Sequence, residues 1–147
     1  MKALDKLART HAPSATVLIR LLVGLVFLSE GIQKFLYPEQ LGTGRFAMIG
    51  LPAPGFLAPF VACFEIACGL LIVLGLFTRL AAIPLIVIIS VAIISTKIPI
   101  LLRSGFWSMA HEARTDFCML LGSLFLLCAG AGAWSLDARR APERKPE

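Results

Sequence analysis

Residues 65–90 read EIACGLLIVLGLFTRLAAIPLIVIIS, two long apolar runs that meet across a very short turn, and this stretch decides the fold. The turn contains Gly75, a residue type that commonly ends helices, and Thr78, whose hydroxyl can cap the start of a following helix. We therefore predict two antiparallel helices that pack together as a tight hairpin.

Apolar segments of similar length fill most of the 147 residues. They cover residues 15–35, 55–77, 80–102 and 117–134. A helix of about 20 residues, rising about 1.5 Å per residue, crosses a hydrocarbon core of about 30 Å. We predict an all-α protein with a single integral membrane domain over residues 1–147, folded as a four-helix bundle of up-down-up-down topology with short tails.

The composition and the distribution of charge agree with a membrane protein. Hydrophobic residues make up 58% of the chain and charged residues 16%, well below the roughly 25% of a globular domain. Half of the 14 Lys and Arg residues lie in the short tails, where they are typical of topology signals, so no nucleic-acid partner is expected. The tails and the turn at Arg79 carry eight Lys and Arg residues against five on the other side, which predicts that both termini lie in the cytoplasm.

The other two connections are longer. The first, residues 36–54, is rich in Pro and Gly, and we expect an irregular loop with one short helical piece over 45–49. The third, residues 103–115, is expected to be a polar loop, with Trp107 at the membrane interface and His111 in contact with water.

Small residues and one arginine mark the faces where helices are expected to touch. They recur three or four residues apart along the first two spans, and small side chains there let neighbouring backbones approach closely. The predicted helix-packing positions are Arg20, Gly24, Gly31 and Gly69. Arg20, near the cytoplasmic end, can also extend its side chain toward lipid phosphates.

Charges inside the apolar segments mark the candidate site. Glu65 is the only charged residue of the second span, and leaving it ionised against lipid would cost several kcal/mol. Glu30 and Asp116 fall on the same outer half as Glu65, where the bases Lys34, Lys97 and Arg114 can converge with them. We predict a pocket that binds a ligand or handles protons, formed by Glu30, Lys34, Glu65, Arg114 and Asp116. The alternative is a buried ion network that only fixes the register of the helices.

Several catalytic chemistries lack their residues in this sequence. Four cysteines lie inside the predicted spans without a Cys-x-x-Cys spacing, which disfavours a thiol–disulfide exchange enzyme: Cys63, Cys68, Cys118 and Cys128. The sequence shows no metal-ligand cluster, no phosphate-binding glycine loop and no haem-type pair of histidines, so no metal is expected.

Three stretches together resemble the DoxX family of small bacterial membrane proteins with four helices. They are RLLVGLVFLSEGIQKF at 20–35, GLP at 50–52 and EIACGLLIVLGLFTRLAA at 65–82, and the similarity extends over about residues 16–134. The resemblance implies a bacterial inner-membrane location and a link to small subunits of quinone-dependent oxidoreductases. It also implies membrane or peripheral redox proteins as candidate partners and a quinone as a candidate cofactor.

The functional hypothesis combines this resemblance with the charged residues. The chain is expected to act as an accessory protein or subunit of a membrane redox system, without a catalytic centre of its own, and to bind a quinone-like or lipid-like molecule in the predicted pocket. The alternative is a non-catalytic membrane scaffold or small-molecule carrier. Apart from the lipid bilayer and redox partners, a second copy of the chain is a candidate partner. The sequence leaves open which molecule is bound and whether the chain is itself an enzyme.

Overall fold

The computed structural model of the chain describes residues 12–140, and within this range it contains helices and no strands. The helices are α1 (Thr16–Leu36), α2 (Thr43–Met48), α3 (Pro54–Leu74), α4 (Thr78–Ala92), α5 (Ile98–Ala129) and α6 (Leu136–Arg140), with a π-helical turn at Ile93–Lys97 between α4 and α5. The all-α prediction is confirmed for these residues. The predicted orientation of the termini depends on Lys and Arg residues in the two tails, most of which lie outside the described residues.

Among the described residues, three helical stretches are long and apolar enough to cross a membrane. Two of them, Thr16–Leu36 and Pro54–Leu74, match the first two predicted spans closely. The third is the 52-residue stretch Thr78–Ala129, which includes α4, the π turn and α5.

This third stretch is not one straight rod, because it is interrupted at Gly105. Gly105 has φ 80° and ψ 176°, a conformation that is essentially restricted to glycine. The guanidinium of Arg79 nevertheless donates a hydrogen bond of 3.0 Å to the carbonyl of Cys128. In a continuous helix these two residues would be roughly 70 Å apart. The chain therefore reverses direction at Gly105, and the two arms lie side by side.

The predicted loop over 103–115 is wrong. Apart from Gly105, these residues are helical. No loop is needed, because a single glycine in this conformation is enough to turn the chain. The last predicted span also ends earlier than expected, because α5 stops at Ala129 and Gly130 follows with φ 83°. The short helical piece predicted over 45–49 is confirmed as α2.

The π turn ends two residues before Pro99 and widens the helix there. Proline lacks a backbone N–H, and its ring clashes with the carbonyl four residues earlier, so a regular α-helix would be strained at this point. The hydroxyls of Ser95 and Thr96 donate to the carbonyl of Ala92 at 3.3 and 2.6 Å. This turn carries Lys97, which faces the other arm.

The tight turn between α3 and α4 is built partly as the sequence predicted. Gly75 ends α3 in the left-handed conformation, and the amide of Leu76 donates to the carbonyl of Leu71 at 2.9 Å, as in a Schellman motif. The prediction that Thr78 caps α4 is wrong. Phe77 is the residue before the helix, and the side chain that binds the first amides comes from Asp137.

Helices α1 and α3 approach each other closely along their glycines. A Cβ added to Gly69 would lie 2.8 Å from the amide nitrogen of Leu28 and 2.9 Å from the carbonyl oxygen of Gly24. A Cβ on Gly31 would lie 2.7 Å from the carbonyl oxygen of Ala62. No side chain fits between these backbones. The core beside them is apolar and includes Val23, Phe27, Ile72, Leu85 and Leu126.

Candidate functional site

The centre of the candidate site is an ion pair between α1 and α3. Lys34 Nζ lies 2.7 Å from Glu65 Oε2, and the two side chains are only 11% and 4% exposed. Gly31, one turn before Lys34, makes the pair possible, because its missing side chain lets the stem of Glu65 approach α1. Within the described residues, this oxygen of Glu65 has no other partner.

Glu30 connects this buried pair to the surface. Its Oε2 lies 3.7 Å from Lys34 Nζ, and its side chain is half exposed. The ammonium group of Lys34 also donates a long hydrogen bond of 3.5 Å to the carbonyl of Glu30. One lysine thus bridges a buried carboxylate and an exposed carboxylate, which is an arrangement suited to binding a polar group at the edge of an apolar helix pair.

Asp116 and Arg114 have other partners. Asp116 Oδ2 lies 3.2 Å from Lys97 Nζ, an ion pair across the two arms of the third stretch. Arg114 is exposed and lies within hydrogen-bonding distance of both ring nitrogens of His111. In the described part of the chain, neither residue forms an ion pair with Glu65. The five predicted residues are thus distributed over three separate contacts, and Arg114 does not balance the buried carboxylate.

Arg20 lies about 21 Å from Lys34 along α1 and serves the opposite end of the protein. Its guanidinium is buried and donates to four backbone carbonyls at 2.6–3.1 Å, those of Ile72, Val73, Ala131 and Trp134. The first two belong to the last turn of α3, whose carbonyls have no partner within the helix. Arg20 therefore joins α1, the end of α3 and the segment after α5, and its side chain does not extend toward lipid phosphates.

Asp137 is a structural residue that the sequence reasoning missed. It is 2% exposed, and its two carboxylate oxygens accept hydrogen bonds from the amides of Phe77 and Thr78 at 2.8 and 3.1 Å. Its own amide donates to the carbonyl of Gly75 at 2.9 Å. About sixty residues separate Asp137 from these partners, and no local pattern signals such a distant cap.

The described residues contain no group of three or more His, Cys, Asp or Glu side chains that could hold a metal ion. All four cysteines are present as free thiols. An open groove of about 530 Å³ runs along the outside of α1, lined mainly by Leu25, Leu28, Ile32 and Leu36 together with Ser29 and Gln33. Glu30, Lys34 and Glu65 do not line this groove, although Gln33 at its margin is a helical neighbour of Glu30.

Comparisons with known proteins place the chain in a family. The family model described as DoxX matches residues 15–98. The chain is 54% identical to the uncharacterized membrane protein Rv3486 of Mycobacterium tuberculosis, over 91% of this chain and 86% of that protein. It is 32% identical to the putative oxidoreductase CatD of Bacillus subtilis, over 83% and 84% of the two chains. It is 31% identical to the inner membrane protein YphA of Escherichia coli, over 86% and 91%. No solved structure matches the chain significantly.

Proposed function

Because this chain belongs to the DoxX family of membrane proteins, we propose that it is an accessory subunit of a membrane redox system in the bacterial inner membrane. In this role it binds the head group of a quinone-like or lipid-like molecule at Lys34, Glu65 and Glu30, and it has no catalytic centre of its own. The name of one relative, a putative oxidoreductase, supports the redox assignment. The buried ion pair with an exposed edge carries the proposal.

The physical argument is the cost of the pair. Desolvating a carboxylate and an ammonium group costs several kcal/mol for each ion, and the attraction between the two only offsets that cost. Ionisable residues inside membrane spans therefore tend to serve binding or proton handling. The half-exposed Glu30 lies next to Lys34, so a ligand at the protein surface can reach the ammonium group there.

A second function is favoured by the same contact. Lys34 and Glu65 satisfy each other's charge at 2.7 Å, so the pair is sufficient to fix the register of α1 against α3 without any ligand. The protein would then be a membrane scaffold or carrier in which the charges only serve packing.

Replacement of Glu65 by Gln separates the two functions. The isosteric amide keeps the shape, so the variant protein purified in mild detergent should remain folded but lose the bound quinone or lipid detected by mass spectrometry. Glu39→Gln, a change of an exposed loop carboxylate, is the matched control and should retain it. A Glu65→Gln protein that is destabilised but keeps the molecule at wild-type occupancy would establish the scaffold instead.

The proposal includes four membrane crossings with both termini in the cytoplasm. The arms on the two sides of Gly105, residues 78–104 and 106–129, are each long enough to span about 30 Å. Reporter fusions at positions 40, 78, 108 and 147 should then report outside, inside, outside and inside. A cytoplasmic signal at position 108 would contradict this topology.

A further inference from the structure

A second polar concavity lies where the short helix α2 covers the π turn and the beginning of α5. It is a cleft of about 390 Å³. Three cations, one carboxylate and several apolar side chains line it, among them Arg45, Lys97, Arg103, Glu112, Met48 and Ile100. Neither Lys34 nor Glu65 contributes to its wall, so the cleft is distinct from the ion pair discussed above.

The charges of this cleft are not balanced. Lys97 already pairs with Asp116 at 3.2 Å. Arg45 and Arg103 are both exposed, and neither forms an ion pair or a side-chain hydrogen bond with any other described residue. Two guanidinium groups therefore face a single carboxylate, that of Glu112. Guanidinium groups bind phosphate oxygens through two parallel hydrogen bonds, which gives the cleft the chemistry of a phosphate site.

The residues around the cleft indicate that it lies at the depth of the lipid head groups. Arg103 lies two residues before Gly105, where the chain reverses, and the neighbouring Leu102 and Trp107 are 80% and 83% exposed. Tryptophan is enriched at the boundary between hydrocarbon and water. Met48 and Ile100 add an apolar wall to the cleft, against which the first methylenes of an acyl chain can pack.

We propose that this cleft binds a phosphate-bearing head group. Arg45 and Arg103 hold the phosphate, and Glu112 accepts a hydrogen bond from a hydroxyl or ammonium group of the same molecule. The source of the phosphate is either a membrane phospholipid or a soluble phosphate ester. The proposal does not depend on the redox function, because no residue of the Lys34–Glu65 pair takes part in it.

The test compares wild-type protein with the double variant Arg45→Gln, Arg103→Gln in dodecyl maltoside. Two probes are titrated, dioleoyl phosphatidylglycerol in mixed micelles and glycerol 3-phosphate in solution, and bound probe is counted by native mass spectrometry. Loss of charge-assisted hydrogen bonds should weaken binding by about tenfold or more. Arg139→Gln removes an exposed arginine outside the cleft and should bind like wild type.

The pattern of binding decides whether the cleft binds phosphate and from which source. Binding of phosphatidylglycerol alone, lost in the double variant, supports a lipid source, and binding of glycerol 3-phosphate, lost in the same variant, supports a soluble one. No binding of either probe, or equal binding to the double variant, overturns the proposal. If the double variant does not fold, the single variants Arg45→Gln and Arg103→Gln give the same readout. A loss of quinone in Glu65→Gln with unchanged phosphate binding separates this site from the proposed redox function.

Discussion

Replacing Lys34 by Met should destabilise the protein more than replacing Glu65 by Gln, although both changes remove the same ion pair. Met keeps the length and the apolar stem of lysine, so the main loss is the charge. The substitution leaves the carboxylate of Glu65, which is 4% exposed, without the one partner that its Oε2 atom has among residues 12–140. In Glu65→Gln, by contrast, the ammonium group of Lys34 keeps Glu30 at 3.7 Å.

The magnitudes follow from this difference in partners. Removing one partner of a buried ion pair costs about 3–5 kcal/mol, because the charge that stays behind is desolvated and unpaired. We expect a loss of this size for Lys34→Met. Glu65→Gln should cost about 1–3 kcal/mol, the contribution of a charge-assisted hydrogen bond, since Lys34 retains a half-exposed carboxylate. The double variant leaves no buried charge and should recover to within about 2 kcal/mol of wild type.

Equilibrium unfolding measures these values. Titration of the purified protein from dodecyl maltoside into sodium dodecyl sulfate, followed by tryptophan fluorescence, yields the free energy of unfolding of each variant. The four proteins form a double-mutant cycle, from which the coupling between the two residues is obtained. Equal losses for the two single variants, or losses that simply add in the double variant, would refute the argument that Glu65 depends on Lys34 and that Glu30 supports Lys34.

Two further predictions concern the packing of the helices. Gly69→Ala should cost about 1–3 kcal/mol in the same unfolding titration, because the new methyl group meets backbone atoms of α1 at 2.8–2.9 Å, whereas Gly55→Ala, which meets nothing within 4 Å, should be neutral or slightly stabilising. If Gly69→Ala is neutral as well, α1 and α3 are not in close contact. Asp137→Ala should lower the free energy of unfolding by about 2 kcal/mol, because α4 loses its cap. The amides of Phe77 and Thr78 should then exchange faster with solvent, while amides in α1 should be less affected.

Much of the helical architecture could be read from local sequence. The apolar runs predict the ends of α1 and α3 to within a few residues, and Gly75 ends α3 where expected. Both signals are local, because hydropathy and helix termination depend on neighbouring residues. The reversal at Gly105 was missed for a related reason. Charged residues around it suggested a loop over 103–115, yet one glycine in a conformation closed to other residues turns the chain while both flanks stay helical.

The choice of partners was decided only by the tertiary structure. The isolation of Glu65 in an apolar segment already predicted a buried charge, but the sequence offered several bases. The close approach of α1 and α3 at Gly31 selects Lys34. Which residues face each other across two helices depends on their rotation and separation, and these quantities are set by the sum of many packing contacts.

The same distinction holds at the opposite end of the protein. The sequence alone determined that Arg20 lies on the packing face of α1, since its spacing from Gly24 places both on one stripe. The tertiary structure decided that its guanidinium binds carbonyls at the end of α3 and beyond α5, and that Asp137 caps a helix that begins about sixty residues earlier. Unpaired carbonyls and amides at helix ends must find partners wherever the fold brings polar side chains, and distance along the chain does not restrict that choice.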